Sequence, residues 1–248
     1  AFSALFSALS GSRFGSAPVS GETKQYYKDM SRISSALALM TDLSMLIMGG
    51  DLKRKEMLSA RMGDVLSQLY LGSATLKLFE DNGRQQDDLP AVRYVMANRL
   101  HLAAKALEDT IRNFPSRPVA WLLRGLIFPL GNHFNAPSDK MATDLVGGML
   151  KPGPARDRIT FLCPEFEGDK GGIAEVEQAF VAQYACKDIY KKLKKAQRAG
   201  ELPAKVPNLV LFAKALETGV ITADEEQKLQ HADKLRLAAI NVNDFEAL

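Results

Sequence analysis

The sequence predicts an all-α protein, made of an antiparallel helical bundle and a second, smaller helical part. Apolar residues recur at steps of three and four along most of the chain, which is the period of an α-helix. Glycine and proline divide the chain into segments of helical length. The strict alternation of apolar and polar residues that is typical of a half-buried strand is nearly absent.

The composition is that of a globular protein without a nucleic-acid partner. The 248 residues are 46% hydrophobic and 25% charged, enough for one large domain or two small ones. The net charge is only +3, too small for a nucleic-acid footprint. Cys163 and Cys186 are far apart and are expected to be buried thiols. No membrane span is expected, because the best apolar run, 36–48, is short and contains Asp42.

The first helix is expected to begin near Lys24. Residues 1–23, rich in glycine and serine, are interpreted as a flexible leading segment, and residues 24–150 as the bundle. The first helix should end at Gly49, which tolerates the backbone of a C-terminal cap, and Asp51 should cap the next helix.

The second and third helices each carry one apolar stripe. The stripe of the second helix is Leu58, Met62, Val65, Leu69, Gly72, Leu76 and Phe79. The stripe of the third is Val92, Met96, Leu100, Ala103, Leu107, Ile111 and Phe114. Gly72 costs about 1 kcal/mol of helix propensity, which predicts a close helix neighbour. Asp88 is expected to cap the third helix, Pro90 to lie in its first turn and Pro115 to end it. The short connections favour antiparallel neighbours.

A sharp corner is predicted where "PLGNHFNAP" follows the next helix. Pro118 should begin that helix and Pro129 should interrupt it, because proline lacks the backbone donor and clashes with the preceding turn. Gly131 permits the turn, and the aromatic residues of the corner are expected to pack onto the bundle. We interpret the corner as architectural and as a surface for docking another domain. This predicted docking corner consists of His133, Ser138, Asp139 and Lys140.

Hydrogen bonding, rather than metal binding or catalysis, is the role expected of the histidines. His133 should bond a nearby carbonyl or a carboxylate such as that of Asp139, and Ser138 should cap a new helix. His101 and Glu108 are expected to serve surface or interhelical hydrogen bonds. The motifs of serine hydrolases, P-loops, dinucleotide-binding folds and helical zinc sites are all missing. The sequence therefore predicts no catalytic, cofactor-binding or metal-binding residue.

After residue 150 the pattern changes. Residues 151–172, rich in proline, glycine and charge, are expected to be a loop or hinge, and residues 173–248 the smaller helical part. A single helix is expected from about 173 to 199. Near the end, Thr222 and Glu225 fit the reciprocal capping box of a final helix.

One helix face in the second part is basic. At steps of three and four it carries Lys187, Lys191, Lys194, Lys195 and Arg198. Asp188 is expected to pair with Lys192 one turn later. Such a face can lie against anionic lipid or an acidic partner, although a simply solvated helix face produces the same pattern.

Three stretches resemble the C-terminal region of the large bacterial acyl-CoA dehydrogenase of fatty-acid β-oxidation. At 49–81 the chain reads "GGDLKRKEMLSARMGDVLSQLYLGSATLKLFED". At 113–140 it reads "NFPSRPVAWLLRGLIFPLGNHFNAPSDK", and at 235–245 "LRLAAINVNDF". The resemblance implies a parent enzyme that oxidises fatty acyl-CoA to trans-2-enoyl-CoA with a glutamate base and bound FAD, and passes electrons to an electron-transfer flavoprotein.

The resemblance also implies where that chemistry takes place. The flavin pocket and the glutamate belong to a dehydrogenase core upstream of the matched region, so no catalytic or FAD-binding residue is carried over to this chain. The expected role is a helical extension packed on that core, in a cytoplasmic enzyme, with support for a homodimer or for peripheral contact with the inner membrane. The alternative is a stand-alone helical interaction or membrane-surface module without catalysis.

Overall fold

A computed structural model describes Ser12, residues 16–162 and residues 173–241, and the statements below concern these residues. They form α-helices and short 3-10 helices, with no strand among them, so the predicted all-α class is confirmed. The chain divides into two compact units between Gly148 and Met149, here called the N-terminal and C-terminal units.

The first five helices begin in the N-terminal unit. They are α1 (Lys24–Met48), α2 (Glu56–Asp81), α3 (Leu89–Arg112), α4 (Arg117–Ile127) and α5 (Asp139–Met149). Short 3-10 helices, Gly49–Arg54 and Gln86–Asp88, precede α2 and α3. The segment Lys24–Arg54, which comprises α1 and the first of these 3-10 helices, is long and apolar enough to cross a membrane by length and composition alone, although no span was expected there. The core helix of a folded domain passes the same test, and Ile33 and Met40 of α1 are buried.

The first two helices pack antiparallel. At the start of α1, the Thr23 hydroxyl donates to Oε1 of Glu80, at the end of α2, over 3.5 Å. Near the other end of α1, the Ser44 hydroxyl lies 4.0 Å from Sδ of Met62, early in α2. Because the start of one helix meets the end of the other, the chain reverses direction between them.

The next pair of helices is antiparallel as well. Arg99 Nη1 of α3 donates to Oε1 of Gln68 of α2 over 2.8 Å. One turn further along α2, a Cβ at Gly72 would lie 3.4 Å from Cε of Met96, one turn earlier in α3. The same Cβ would lie 3.3 Å from Sδ of Met30 of α1. The close helix neighbour that Gly72 predicted is therefore observed, on both sides.

The predicted stripes form the core. Every stripe residue of α3 is buried, and so are Leu58, Val65, Gly72, Leu76 and Phe79 of α2. Met62 and Leu69 are partly buried and pack against the same cluster. Helical periodicity identified this face correctly because the buried side of a helix is set by local spacing alone.

Two predicted caps differ from the structure. Asp51 does not cap α2, because it lies inside the 3-10 helix Gly49–Arg54 and pairs with Arg54. The N-cap position of α2 is Lys55, which makes no side-chain capping bond. Asp88 occupies the N-cap position of α3, but its side chain does not make the capping hydrogen bond.

The C-terminal unit contains the remaining helices. They are α6 (Pro154–Thr160), α7 (Ile173–Ala185), α8 (Lys187–Arg198), α9 (Asn208–Glu217) and α10 (Ala223–Ile240). The capping box of α10 is confirmed: the Glu225 amide donates to Oγ1 of Thr222 over 3.2 Å, and the Thr222 amide donates to Oε2 of Glu225 over 3.1 Å.

Two predictions for this part of the chain are wrong. The loop expected over 151–172 contains α6, and the single helix expected over 173–199 is two helices that meet at Cys186. Cys186 has φ −86° and ψ 2°, a local bend that needs neither glycine nor proline, so no composition signal marks it. The Cys186 thiol is buried, as expected, and burial raises its pKa; Cys163 lies outside the described residues.

Candidate functional site

The corner forms where helix α4 stops. Pro129 cannot continue the helix, and Phe128 leaves it at φ −128° and ψ 58°, as the residue before a proline should. Gly131 then turns the chain with φ 86°. The Phe128 side chain is buried and Phe134 packs against the same core cluster, so the aromatic residues do pack onto the bundle.

Polar side chains of α3 attach the corner to the bundle. Asn132 Nδ2 donates to Oε2 of Glu108 over 3.0 Å, and Arg124 of α4 donates to the other oxygen of that carboxylate over 3.0 Å. Two turns earlier in α3, Nδ1 of His101 lies 2.8 Å from the carbonyl oxygen of Phe134. Glu108 therefore makes an interhelical hydrogen bond, to Arg124, as expected, whereas His101 bonds to the corner itself. Glu108 and His101 together fix two points of the corner.

A buried arginine of α1 adds a third point of attachment. The guanidinium of Arg32 lies 5.2 Å from the centre of the Phe134 ring, and its Nη2 donates to the Ile127 carbonyl over 3.5 Å. Burial lowers the pKa of Arg32, and the nearby Asp29 carboxylate partly offsets this effect. The cation thus stabilises the C-terminal end of α4, where the helix dipole is negative, and one face of Phe134. No local pattern around Arg32 predicts this role.

Among the residues of the predicted docking corner, the hydrogen bond expected of Ser138 is present and the one expected of His133 is not. The Ser138 hydroxyl accepts the Met141 amide over 3.3 Å, which confirms its capping role, and Lys140 pairs with Asp144 over 2.7 Å. His133 is exposed, and among the described residues no hydrogen bond joins its ring to Asp139 or to another group. The hydrogen bond predicted for His133 is made instead by His101.

Helix α4 exposes two large apolar side chains beside two exposed arginines, Arg117 and Arg124. Ala120, Leu123 and Ile127 face the core, while Trp121 is 74% exposed and Leu122 53% exposed. Leu130, in the corner, is exposed as well. We call Trp121, Leu122 and Leu130 the apolar platform. The attachments described above hold the backbone beneath it in place.

A different kind of surface lies on helix α8 of the C-terminal unit. Its inner face buries Ile189, Leu193 and Ala196. Its outer face carries the predicted basic residues, and all five of them are exposed: Lys187, Lys191, Lys194, Lys195 and Arg198. The predicted pairing of Asp188 is wrong, because Asp188 accepts from Lys191 over 2.8 Å, while Lys192 pairs with Glu225 of α10.

Three of these lysines border a groove of about 650 Å³ formed by α7, α8 and α9. The lysines of the rim are Lys187, Lys191 and Lys194. The apolar walls are Phe180, Tyr184, Tyr190, Leu193 and Leu211. Nζ of Lys187 lies 5.3 Å from the centre of the Tyr184 ring, a cation–π arrangement that orients the lysine along the rim. We call this feature the basic groove; Lys195 and Arg198 lie outside its lining.

The described residues contain no cluster of three or more His, Cys, Asp or Glu side chains suited to a metal ion. The comparison with solved structures gave no match to this chain. A family model described as acyl-CoA dehydrogenase, C-terminal, bacterial type, matches residues 1–245. The match spans both units and all the described helices, so the chain belongs to the family of C-terminal domains of bacterial-type acyl-CoA dehydrogenases.

Proposed function

We propose that this chain is the non-catalytic docking domain of its parent dehydrogenase. In this proposal the parent is an FAD-dependent enzyme that oxidises fatty acyl-CoA to trans-2-enoyl-CoA in β-oxidation, and the glutamate base lies in the upstream core. The observation that supports a docking role is the apolar platform, in which Trp121 and Leu122 are exposed on a helix whose other face is buried. The family match favours this reading over a stand-alone interaction or membrane-surface module.

The described residues do not fit FAD themselves. Among them, no glycine-rich turn joins a strand to a helix, the arrangement that commonly cradles a dinucleotide pyrophosphate. Each of the three carboxamides that line the basic groove already donates one hydrogen bond to a group of the chain. We therefore assign the flavin, and contact with the acyl-CoA substrate and the electron-transfer flavoprotein, to the parent enzyme.

The apolar platform has the properties of an interface centre. Tryptophan buries a large apolar area with few rotatable bonds, and it is enriched among residues that dominate binding energy. The corner that follows α4 in the chain carries exposed polar residues, His133, Asp139 and Lys140, and residues of this kind suit the hydrated rim of an interface. The platform is therefore proposed to pack on the dehydrogenase core, and the corner to set the angle at which it does so.

The location and the assembly proposed for this chain are those proposed for its parent enzyme. We propose a cytoplasmic enzyme with peripheral contact at the inner membrane, and a homodimer formed through the parent. The apolar content of Lys24–Arg54 is compatible with membrane contact, and its burial is divided: Ile33 and Met40 are buried in the bundle, whereas Leu46 near the end of α1 is exposed.

The experiment expresses the dehydrogenase core and this chain as separate polypeptides and measures their association by size exclusion and calorimetry. The double variant Trp121→Glu/Leu122→Glu is expected to abolish association, because two charges would be buried at the interface centre. Leu209→Glu, at an exposed apolar residue of the C-terminal unit, is the matched control and should leave association unchanged.

The catalytic assignment is tested with the same two polypeptides. The core is expected to be yellow and to reduce an electron acceptor when long-chain acyl-CoA is added, while this chain alone is colourless and inactive. Binding of FAD by this chain alone would overturn the assignment of the flavin to the core. Unchanged association of the double variant would overturn the docking role of the platform.

A further inference from the structure

We propose that the basic groove binds an acidic amphipathic helix of a partner protein. The groove belongs to the C-terminal unit, whereas the proposed packing on the dehydrogenase core uses the apolar platform of the N-terminal unit. The inference therefore goes beyond the proposed function and does not depend on it.

The floor of the groove requires an apolar ligand surface. Its walls are aromatic and aliphatic side chains of α7, α8 and α9, of which Leu193 and Leu211 are almost fully buried. All three carboxamides in the lining are already engaged within the unit. Gln183 donates to the Ala232 carbonyl over 2.9 Å, Gln197 to the Pro203 carbonyl over 3.0 Å, and Asn208 to Oδ1 of Asp233 over 2.8 Å. A ligand thus meets mainly apolar side chains, and the charges of the lining come from the three lysines.

The charges at the rim form a row rather than a cluster. Lys187, Lys191 and Lys194 follow one edge of α8 at steps of four and three, and at 1.5 Å per residue the row is about 10 Å long. A single phosphate or carboxylate head is best bound by cations that converge on one point. A row of this spacing instead matches carboxylates at steps of three and four along the edge of another helix.

The lysines of the row differ in what they already contact. Nζ of Lys187 lies over the Tyr184 ring, and Nζ of Lys191 donates to Oδ1 of Asp188 over 2.8 Å. Lys194 has no ion-pair or hydrogen-bond partner among the described residues. Lys194 therefore offers the largest gain on meeting a carboxylate, since no existing pair has to be broken.

A lipid surface fits these observations less well than a helix. A flat anionic membrane would attract the whole basic face, including Lys195 and Arg198, through its summed charge. It would also leave a concave groove of about 650 Å³ unfilled. A helix with an apolar face fills the groove and places its acidic edge against the lysines that border it, which is one of the recurrent ways in which helices are recognised.

The test uses the full 248-residue chain and a designed peptide as the probe. The fluorescent peptide is an amphipathic helix with leucine and phenylalanine on one face and glutamate at steps of three and four along one edge. In fluorescence anisotropy, Lys194→Glu is expected to weaken binding about tenfold or more, because a repulsive pair replaces an attractive one at the rim. Lys195→Glu is the matched control, with the same charge change on the same helix but outside the groove.

The possible outcomes separate the proposal from a membrane role. Support requires peptide binding that Lys194→Glu weakens much more than Lys195→Glu does, with no binding of a peptide in which lysine replaces glutamate. Equal weakening by both variants, or no binding of the acidic peptide, overturns the proposal. Vesicles of phosphatidylglycerol and phosphatidylcholine form the second arm, in which binding to vesicles without binding to the peptide also overturns it. Circular dichroism checks that each variant keeps its helices.

Discussion

Helices α4 and α8 are alike in length and in burying one apolar face, but their exposed faces differ in chemistry. They are 11 and 12 residues long, and each buries one apolar face in its own unit. The outer face of α4 carries Trp121 and Leu122, whereas that of α8 carries the row of lysines. Burial of an apolar face is favoured at any ionic strength, whereas attraction between charges is screened by salt. The difference suits a permanent contact within the parent enzyme for α4 and a reversible, salt-sensitive contact for α8.

The largest effect is expected when a buried leucine of α4 is truncated and compared with its exposed neighbour. Leu123 is fully buried, while Leu122 is 53% exposed in the isolated chain. Leu123→Ala should therefore lower the free energy of unfolding by about 2–5 kcal/mol. Leu122→Ala should change it by less than about 0.5 kcal/mol, the usual range for surface substitutions. Urea unfolding measures both, and a similar cost for the two variants would contradict the assignment of inner and outer faces.

The packing of α2 against α1 and α3 depends on Gly72. A leucine there would displace Met30 and Met96, which lie within 3.4 Å of the position of its Cβ, so Gly72→Leu should cost about 1–3 kcal/mol of unfolding free energy. Gly63 is in the same helix and has no atom within 4 Å of such a Cβ, so Gly63→Leu should be neutral or slightly stabilising. Thermal unfolding of the two variants compares them, and a tolerated Gly72→Leu would show that the bundle is not closely packed there.

The attachment of the corner is expected to depend on His101 rather than on His133. His101→Ala removes a 2.8 Å hydrogen bond to the Phe134 carbonyl and should cost about 1 kcal/mol of stability. His133→Ala should cost less than about 0.5 kcal/mol, because its ring is exposed. Neither change should lower turnover in the parent enzyme by more than the loss of stability explains. A large loss of turnover in His133→Ala, with normal stability, would instead place that side chain near the chemistry.

The smallest effect is electrostatic and concerns the ion pair between Lys192 of α8 and Glu225 of α10. The hydrogen bond from Lys192 and that from the Thr222 amide hold the pKa of Glu225 below its ordinary value of 4.5. Because the folded pKa is depressed, the stability that Glu225 contributes is present above that ordinary value and is lost as pH falls through the folded pKa. Lys192→Met should raise the pKa of Glu225, as measured by carboxyl NMR titration.

The control for this titration is Lys228→Met. Lys228 pairs with Asp224 and affects Glu225 only through a weaker charge interaction, so its removal should move the pKa of Glu225 less. If both variants moved it equally, or neither did, the contact between α8 and α10 would not be the cause of the depressed pKa.

Features set by local spacing were predictable from the sequence. The apolar stripes and the capping box of Thr222 and Glu225 depend on residues within one or two turns of each other. Gly72 is a local signal that some helix lies close, although its partners, Met30 and Met96, are far away in sequence. The stop before Pro129 is equally local, because proline itself removes the hydrogen bond. Local patterns of this kind therefore predict where most of the helices lie and where the chain turns at the corner.

The contacts that were missed join residues far apart in sequence. Arg32 reaches Ile127 across 95 positions, and nothing in its own neighbourhood distinguishes it from a surface arginine. Asp188 was assigned to Lys192 by a local rule, but Lys192 finds Glu225, 33 positions away, in the folded unit. Asp51 does not cap α2, because it lies inside the 3-10 helix that follows α1. Local rules therefore fixed the helices, and tertiary contacts decided which polar side chains pair.

The most direct test of the account follows the environment of Trp121, the single tryptophan of the chain. The chain labelled with 5-fluorotryptophan gives one ¹⁹F resonance, recorded with and without the unlabelled dehydrogenase core and with a soluble paramagnetic quencher. We expect the resonance of the free chain to be strongly broadened by the quencher, and addition of the core to shift it and protect it. An unchanged shift and unchanged broadening, in a mixture that size exclusion shows to be a complex, would contradict the claim that α4 docks on the core.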